Sequence, residues 1–289
     1  MDAVSRIERA LVAAIAESHL PGCPPRLAAA LEHAVFPKGA RLRPRLCLAV
    51  AAACGDDRPE AADAAAAAIE LLHCASLVHD DLPCFDNADM RRGRPSVHRA
   101  FGEPLAVLAG DALIVLAFQT LARGAAAVPT RLVSLLTTVS RAVGVPGGIV
   151  AGQAWECEPT ADLAEYQREK TGALFAASTV AGAAAAGWDG EAWRMLGEKL
   201  GEAYQVADDI RDAVSTPEEL GKPIGQDAAL GRPNAVLQLG LDGAIARLGD
   251  LAGGAIASIP ACPGAADLRA LIRMESGRLL PKELAARAA

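Results

Sequence analysis

Two clusters of aspartates stand far apart in the chain, and each begins with two adjacent Asp residues. The first comprises Asp80, Asp81 and Asp86, and the second comprises Asp208, Asp209 and Asp212. Each cluster lies inside or at the end of a run rich in Ala, Leu and Val, which is typical of a buried helix. Carboxylates in an apolar interior need a cationic partner. We therefore expect hard divalent cations, held from two sides and themselves binding a polyphosphate.

Basic side chains follow the first cluster closely. Asp86 lies beyond Pro83, so a turn can bring this third carboxylate back towards the helix that ends near Asp80. Arg91 and Arg92 come next, and guanidinium groups are well suited to binding phosphate oxygens. A helix end with solvated charges is the alternative for an Asp pair alone. The attached arginines favour a phosphate site.

The second cluster has a helical spacing. Asp208 and Asp212 are four residues apart and share one helical face. Asp209 lies about 100° around the helix from Asp208, which indicates a peripheral or water-mediated contact with metal. Gln205 precedes Asp209 by one turn, and Lys222 follows in a turn-rich loop from which it can reach phosphate. The alternative is an ordinary salt-bridged surface loop.

Two further basic positions are candidates for binding phosphate. Residues 38–44 form a compact cationic turn at the start of a predicted helix, and this turn contains Arg41 and Arg43. A solvated surface patch is the alternative. Lys170 and Thr171 lie inside a predicted apolar helix, where a lysine needs a partner unless it extends to solvent. Gly172 permits a local kink there, which would free a backbone carbonyl.

The composition predicts a large helical core. Of the 289 residues, 52% are hydrophobic and only 3% are aromatic, and alternating strand patterns are nearly absent. With no linker or change of composition, we expect one all-α domain over residues 1–289. After two helices that begin at Asp2 and Pro24, the predicted helices cover 42–54, 59–80, 103–122, 128–143, 147–156, 162–186, 190–213, 232–249 and 265–275.

Charge, cysteine usage and hydropathy exclude several classes of protein. The net charge of −7 at pH 7 argues against a nucleic-acid surface. The seven cysteines show no zinc-type spacing, and we interpret them as buried small hydrophobic residues in a reducing cytoplasm. Charged residues interrupt the N-terminal segment, so a signal peptide is not expected. The runs 104–122 and 171–188 approach the length of a membrane span, but core helices fit them better than an integral membrane protein.

Taken together, these motifs resemble those of the trans-isoprenyl diphosphate synthases, the polyprenyl synthetase family, from about Lys38 to Asn234. The two acidic motifs are specific as a pair, and Gly152-Gln153 matches another recurrent position. The resemblance implies an all-α helical bundle around a deep central cavity, usually a homodimer. It also implies condensation of isopentenyl diphosphate with an allylic diphosphate to give a longer trans-prenyl diphosphate.

The resemblance further implies a role for each motif. Mg²⁺, about three ions, would be bound directly or through water by Asp80, Asp81, Asp86, Asp208 and Asp212. Arg91, Lys170 and Lys222 would supply the positive charge that stabilises the departing pyrophosphate. Thr171 and Gln205 would present oxygen dipoles near the allylic cation. Isopentenyl diphosphate would be held by Arg43, His73 and Arg92, with Arg41 close by. The usual lysine of the cationic turn is Ala40 here, although Lys38 could compensate.

The residue five positions before Asp80 bears on product length, because it lies ~7.5 Å deeper along the helix. Family members that stop at C15 tend to carry a bulky residue there, whereas this chain has Ala75, flanked by Cys74 and Ser76. We therefore expect geranylgeranyl diphosphate (C20), as in bacterial synthases of that product, with farnesyl diphosphate (C15) as the alternative. A class I terpene cyclase is disfavoured by the scarce aromatics and the all-Asp second motif. A non-catalytic partner subunit is disfavoured because neither motif is lost.

Overall fold

The computed structural model describes residues 2–36, 39–158, 168–214 and 234–279, and these residues are mostly helical, which confirms the predicted all-α class. The α-helices of the described residues are α1 (Ala3–Ile15), α2 (Pro25–Val35), α3 (Leu42–Ala53), α4 (Pro59–Asp80), α5 (Val97–Phe101), α6 (Glu103–Gly124), α7 (Pro129–Val143), α8 (Ile149–Ala154), α9 (Ala173–Ala185), α10 (Arg194–Val214), α11 (Ala235–Ala257) and α12 (Ala265–Gly277). Short 3₁₀ turns cover Ala16–His19, Trp155–Cys157 and Glu191–Trp193, and a π-helical turn covers Arg168–Gly172. Two short antiparallel strands, β1 (Met90–Arg91) and β2 (Arg94–Pro95), form a hairpin.

Local sequence signals set the ends of several helices. Asp2 caps α1 as predicted, because its carboxylate accepts a hydrogen bond from the Ser5 N–H at 3.0 Å. Proline opens α2, α4, α6 and α7, where its missing N–H would have had no helical partner. The side chain of Asn234 caps α11 by accepting hydrogen bonds from the N–H groups of Val236 and Leu237.

Small side chains allow α4 and α9 to pass through the centre of the bundle. Every residue of α9 from Leu174 onwards is buried, and α4 is buried over most of its length. At Gly124, an added Cβ would lie 2.2 Å from the Cβ of Ala64, and at Gly182 it would lie 2.3 Å from the carbonyl oxygen of Cys47. These close approaches explain why the core is built from Ala and Gly rather than from aromatic residues. The helix α4 ends at the first acidic cluster.

Most predicted helix bounds agree with the structure to within a few residues. The helix predicted at 232–249 runs further, to Ala257, and changes direction at Gly240, whose φ is +72°. The helix predicted at 162–186 begins outside the described residues, and its described part is the π-helical turn followed by α9. The hairpin and α5 were not predicted, since both are too short for a periodic pattern.

The cysteines differ partly from the prediction. All seven lie within the described residues and are free thiols, and Cys47, Cys54 and Cys74 are buried. Burial raises the pKa of each of these three thiols to about 12, so they are inert. Cys84 and Cys157 are exposed, contrary to the interpretation of all the cysteines as buried residues.

Among the helices that the structure describes, α4 and α6 have the length and apolar composition of a membrane span. In α4, 83% of the apolar window is buried inside the protein, whereas in α6 the share is 39%. The run 171–188 becomes the buried α9, as a core helix should. The prediction of a core helix at 104–122 is only partly right, because α6 leaves one apolar side uncovered.

Candidate active site

A tight turn at the end of α4 gathers the first acidic cluster. The N–H of Asp86 donates to the carbonyl of Asp80 at 2.9 Å, and the N–H of Ala88 donates to the carbonyl of Asp81 at 3.2 Å. Asp80 and Asp81 are buried, whereas Asp86 is exposed. The turn therefore returns the backbone of the third acidic residue to the first.

The hairpin directs two adjacent arginines to different partners. Arg92 and Gly93 form its two-residue turn, with φ of +52° and +76°. Positive φ at both positions is typical of a type I′ turn, which glycine adopts readily and arginine adopts at some cost. Arg91 bends back to Asp81, to which its Nε donates at 3.1 Å. Burial lowers the pKa of Arg91, but the hydrogen bond and charge of Asp81 outweigh that effect and raise it.

Arg92 turns instead towards the cationic turn that contains Gly39. A Cβ placed on Gly39 would lie 2.7 Å from the Cζ of Arg92, so the guanidinium group lies directly against this glycine. Arg92 also lines a small cavity together with Cys74 and Asp81. The structure thus places Arg92 beside the last turns of α4, near the acidic cluster.

Arg43, His73 and Arg92 form a cationic cluster. Nη1 of Arg43 lies 3.4 Å from Nε2 of His73, and its guanidinium carbon lies 4.7 Å from the centre of the Phe175 ring. The Nε of Arg43 is buried without a hydrogen-bond partner in the described part of the chain. Burial and the charges of Arg43 and Arg92 lower the pKa of His73 well below its ordinary 6.5, so this imidazole is neutral at pH 7. An anion entering here would meet the unsatisfied Nε of Arg43 and clustered positive charge.

Arg41 occupies a different place from the one that the resemblance implied. Its side chain is 3% exposed, and each of its three guanidinium nitrogens has a partner. Nη1 donates to Glu70 at 2.6 Å, Nε donates to Glu8 at 3.0 Å, and Nη2 donates to the carbonyl of Val35 at 2.8 Å. Arg41 therefore ties the cationic turn to the core and is not oriented to bind substrate. The predicted contact with isopentenyl diphosphate is corrected to a structural role.

Glu70 was missed by the sequence analysis, although the signal was present. It is the one carboxylate between Asp63 and Asp80 in the long apolar helix α4, and it is 2% exposed. A charge buried in this way needs a cationic partner, and Arg41 supplies it. Phe175, which lies under Arg43, had no such signal, because a lone aromatic in an apolar run resembles any core residue.

In the second acidic cluster, the adjacent Asp208 and Asp209 side chains point in different directions. Asp209 is buried and accepts hydrogen bonds from the N–H of Ala235 at 2.7 Å and from Nε2 of Gln205 at 3.2 Å. Asp208 is half-buried and pairs with Arg211 at 3.0 Å. Asp209 therefore holds the start of α11 against α10, and its peripheral contact with metal stays a prediction. Asp212 lies one turn further along α10, four residues from Asp208.

A series of contacts connects the two acidic clusters. Nε2 of Gln153, on α8, donates to Oδ1 of Asp80 at 2.8 Å. The helix α8 packs against the π-helical turn, and Nε1 of Trp155 donates to Glu169 in that turn at 3.2 Å. In the same turn, Thr171 Oγ1 donates to Oε1 of Gln205 at 3.4 Å. The π-helical turn therefore lies between the segments that carry the two clusters.

The carboxylates present suit a hard cation that keeps part of its coordination shell. Within the described ranges, no three His, Cys, Asp or Glu side chains are close enough to hold an ion by themselves. Mg²⁺ is usually bound by one or two carboxylates together with water and substrate phosphate oxygens. Asp80 and Asp86, whose backbones meet in the turn, are oxygen donors of that kind. The donor set fits Mg²⁺ bound together with a polyphosphate.

Some predicted residues are not brought into this site by the described structure. Lys222 and Lys38 lie outside the described residues, as does the side chain of Lys170. Ala75 is 2% exposed within the core, and Ala40 is exposed. A cavity of about 960 Å³ adjoins the second cluster and is lined by Gln205 and Asp209, but by none of the first cluster.

Comparison with known proteins resolves the family. The family model described as polyprenyl synthetase matches residues 24–248. The chain belongs to the polyprenyl synthetase family. It is 57% identical to the geranylgeranyl diphosphate synthase of Cereibacter sphaeroides over 98% of each chain, and 54% identical to that of Rhodobacter capsulatus over 95% of each.

A solved structure of the family supports the same fold. The geranyltransferase of Helicobacter pylori, complexed with magnesium and isoprenyl diphosphate, superposes with a TM-score of 0.78 at 31% identity. The match covers 94% of this chain and 95% of that one. As a polyprenyl synthetase, the chain is an all-α isoprenoid synthase, which confirms the resemblance drawn from its acidic motifs.

Proposed function

We propose that this polyprenyl synthetase is a Mg²⁺-dependent trans-prenyltransferase that condenses isopentenyl diphosphate with allylic diphosphates to give geranylgeranyl diphosphate. The observation that carries the proposal is the cationic cluster of Arg43, His73 and Arg92 beside the acidic turn of Asp80 to Asp86. The cationic cluster suits the diphosphate of isopentenyl diphosphate, and the acidic turn suits a diphosphate that is bound through metal. Two relatives that share more than half of their aligned residues with this chain are named geranylgeranyl diphosphate synthases.

The allylic diphosphate is the group that must leave. Bound Mg²⁺, about three ions, would supply positive charge that neutralises this leaving group. The residues that would hold the metal are Asp80, Asp81, Asp86, Asp208 and Asp212. The Arg91–Asp81 pair places a guanidinium group beside these carboxylates, where it can bind a phosphate oxygen. Lys170 and Lys222 are proposed to add further positive charge to the leaving diphosphate.

The allylic carbon becomes cationic as its bond to oxygen breaks. Thr171 and Gln205 are joined by a hydrogen bond at 3.4 Å and present polar oxygens beside α9. These oxygen dipoles stabilise the cation without forming a covalent bond to it. The double bond of isopentenyl diphosphate then attacks the cation, and the released pyrophosphate accepts the proton that is lost. No side-chain nucleophile is required.

Isopentenyl diphosphate is held by the cationic cluster. Because His73 is neutral at pH 7, it contributes a hydrogen bond while Arg43 and Arg92 contribute charge. The unsatisfied Nε of Arg43 gains a partner when the diphosphate binds. Arg41 supports this subsite by fixing the start of α3, the helix that carries Arg43.

The product length follows from the small residue at position 75. Ala75 lies on α4 ~7.5 Å before Asp80, and its small side chain leaves the prenyl tail more room than a bulky one would. We therefore favour the C20 product over the C15 product. Farnesyl diphosphate would be the product if another side chain closed the same space.

The uncovered side of α6 supports a homodimer. Val107, Leu108 and Val115 are 42–56% exposed, and with Asp111 they form one helical stripe. We propose that a second copy of the chain covers this stripe. Light scattering should show Val115→Lys shifting the protein towards monomer, while Val12→Lys on the exposed face of α1 leaves the dimer unchanged.

The free thiols are in keeping with a cytoplasmic enzyme.

The experiment that tests the function is a product assay. The protein is incubated with Mg²⁺, isopentenyl diphosphate and, separately, dimethylallyl, geranyl or farnesyl diphosphate, and the products are sized. We expect a C20 diphosphate that is lost on chelation of the metal. Products that end at C15 would contradict the assigned length, a cyclic hydrocarbon would indicate a terpene cyclase, and an inert protein that stimulates another synthase would indicate a partner subunit.

A matched pair of variants links the product to the cationic cluster. Arg43→Met should raise the KM for isopentenyl diphosphate by about 10-fold or more, as expected for losing a charge-assisted hydrogen bond. Arg45→Met, two residues further along α3, removes an arginine that pairs with Glu275 near the surface and should leave this KM unchanged. Equal effects of the two variants would contradict the proposed subsite.

A further inference from the structure

The buried amide of Gln153 lies against the first acidic cluster. Gln153 is 8% exposed, and its Nε2 donates to Oδ1 of Asp80 at 2.8 Å and to the carbonyl of Ser76 at 3.3 Å. Ser76 precedes Asp80 by one helical turn on the same face of α4. One NH₂ group therefore bridges the backbone and a carboxylate across a single turn of the helix.

The identity of the atoms fixes the orientation of this amide. Both neighbours, the Ser76 carbonyl and the ionised Asp80 carboxylate, are hydrogen-bond acceptors. Only the NH₂ end of Gln153 can satisfy them, and its two hydrogens match the two acceptors. The contact with the backbone carbonyl fixes the amide relative to α4, so the second hydrogen bond restricts the rotation of the Asp80 side chain.

The short helix that carries Gln153 is itself firmly placed. At Gly148, which precedes α8, a Cβ would lie 2.7 Å from the carbonyl oxygen of Arg141, and φ is +139°. Only glycine tolerates this close approach and this backbone conformation. On the other side, α8 packs against the π-helical turn that carries Thr171. The amide of Gln153 is therefore presented to Asp80 from a fixed support.

We propose that Gln153 is a positioning residue that holds the Asp80 carboxylate in the orientation required to bind Mg²⁺ together with a diphosphate. This inference rests on the proposed function and adds to it a residue that acts through Asp80. A neutral amide suits this task, because it orients the carboxylate without adding a positive charge that would compete with the metal. The neighbouring Asp81 is held by the charged Arg91. The two adjacent aspartates are thus oriented by partners of different charge.

The test compares Gln153→Met, which keeps the length of the side chain but removes both donors, with Gln238→Met on the exposed face of α11. Inorganic pyrophosphate is titrated calorimetrically into each protein at a series of Mg²⁺ concentrations, and product formation is measured over the same series. For Gln153→Met we expect the half-saturating Mg²⁺ concentration to rise about 10-fold or more in both measurements, as for other residues that orient a metal ligand. Saturating Mg²⁺ should restore most of kcat. Gln238→Met should match the wild type.

The possible results separate the positioning role from a purely structural one and from the proposed function. A Gln153→Met protein with a lower melting temperature but wild-type Mg²⁺ dependence would overturn the positioning role. If Gln153→Met does not fold, Gln153→Asn replaces it, because this variant keeps the amide but retracts it from Asp80. It should raise the half-saturating Mg²⁺ concentration to a smaller extent. An unchanged value would overturn the inference. A wild type that neither binds pyrophosphate with Mg²⁺ nor forms product would refute the proposed function itself.

Discussion

The buried Arg41–Glu70 pair provides the sharpest prediction about which arginine supports the fold and which binds substrate. The paired side chains are 3% and 2% exposed, and Nη1 of Arg41 lies 2.6 Å from Oε1 of Glu70. Removing one partner of such a pair leaves an uncompensated buried charge, which costs about 3–5 kcal/mol. Because a folded domain is stable by only about 5–15 kcal/mol, Arg41→Met should lower the free energy of unfolding by a large fraction. Urea denaturation followed by circular dichroism measures this change.

The double variant isolates the cause of the expected loss. Arg41→Met combined with Glu70→Leu removes both charges and replaces them with apolar side chains, so it should recover much of the lost stability. The matched control is Arg45→Met, whose pair with Glu275 is 34% and 25% exposed and should contribute less than about 1 kcal/mol. A double variant as unstable as Arg41→Met would show that the unpaired carboxylate of Glu70 is not the cause.

The KM for isopentenyl diphosphate distinguishes the expected role of Arg41 from that of Arg43. Under conditions where it remains folded, Arg41→Met should keep a KM for isopentenyl diphosphate within about 3-fold of the wild type, whereas Arg43→Met should raise it about 10-fold or more. The reasoning is refuted if Arg41→Met unfolds like the wild type in urea and raises the KM instead. That result would place Arg41 in the substrate subsite, as the sequence first implied.

Three further predictions concern pH, product length and helix packing. The pKa of His73 is held well below 6.5 by burial and nearby arginines, so the unfolded chain takes up a proton as the pH falls below about 6.5 while the folded chain does not. Stability is therefore lost below that pH, and His73→Gln should reduce the loss by up to about 1.4 kcal/mol per pH unit, as measured by urea unfolding at several pH values. Ala75→Tyr should shorten the main product to C15 in a product-sizing assay, and continued C20 synthesis would contradict the role of position 75. Gly182→Ala should lower the free energy of unfolding by about 1–3 kcal/mol, because its Cβ would lie 2.3 Å from the carbonyl oxygen of Cys47. Gly249→Ala, where a Cβ meets nothing within 4 Å, should be neutral or stabilising, and equal losses in the two variants would refute the packing argument.

Long elements were predictable from the sequence because their signals are repeated many times. The helix Pro59–Asp80 was predicted with the observed bounds, since Pro59 marks its first turn and an apolar run continues up to the acidic cluster. The hairpin at Met90–Pro95 was not predicted, because strands of two residues carry no alternation. Gly93 at the second turn position was the one available signal for a type I′ turn.

At the candidate site, the sequence predicted those side-chain arrangements that helical geometry and residue chemistry determine. The 100° offset of Asp209 from Asp208 correctly indicated that these neighbours point in different directions. The internal pairing of Arg41 was not predictable, since Arg41 and Arg43 are close together in one basic segment and only the fold decides which side chain meets Glu70. The bond between Gln153 and Asp80 joins residues far apart in sequence, and no local pattern encodes it.

The most direct test of the central claim, that two acidic clusters act together on one diphosphate, compares the wild type with Asp80→Asn and Asp208→Asn in the same product assay. Each protein is given Mg²⁺, radiolabelled isopentenyl diphosphate and farnesyl diphosphate. We expect the wild type to form a C20 diphosphate and each variant to lose at least about 100-fold in kcat/KM, equivalent to about 2.7 kcal/mol of transition-state stabilisation. A variant of either cluster that condenses the two substrates at the wild-type rate would contradict the claim.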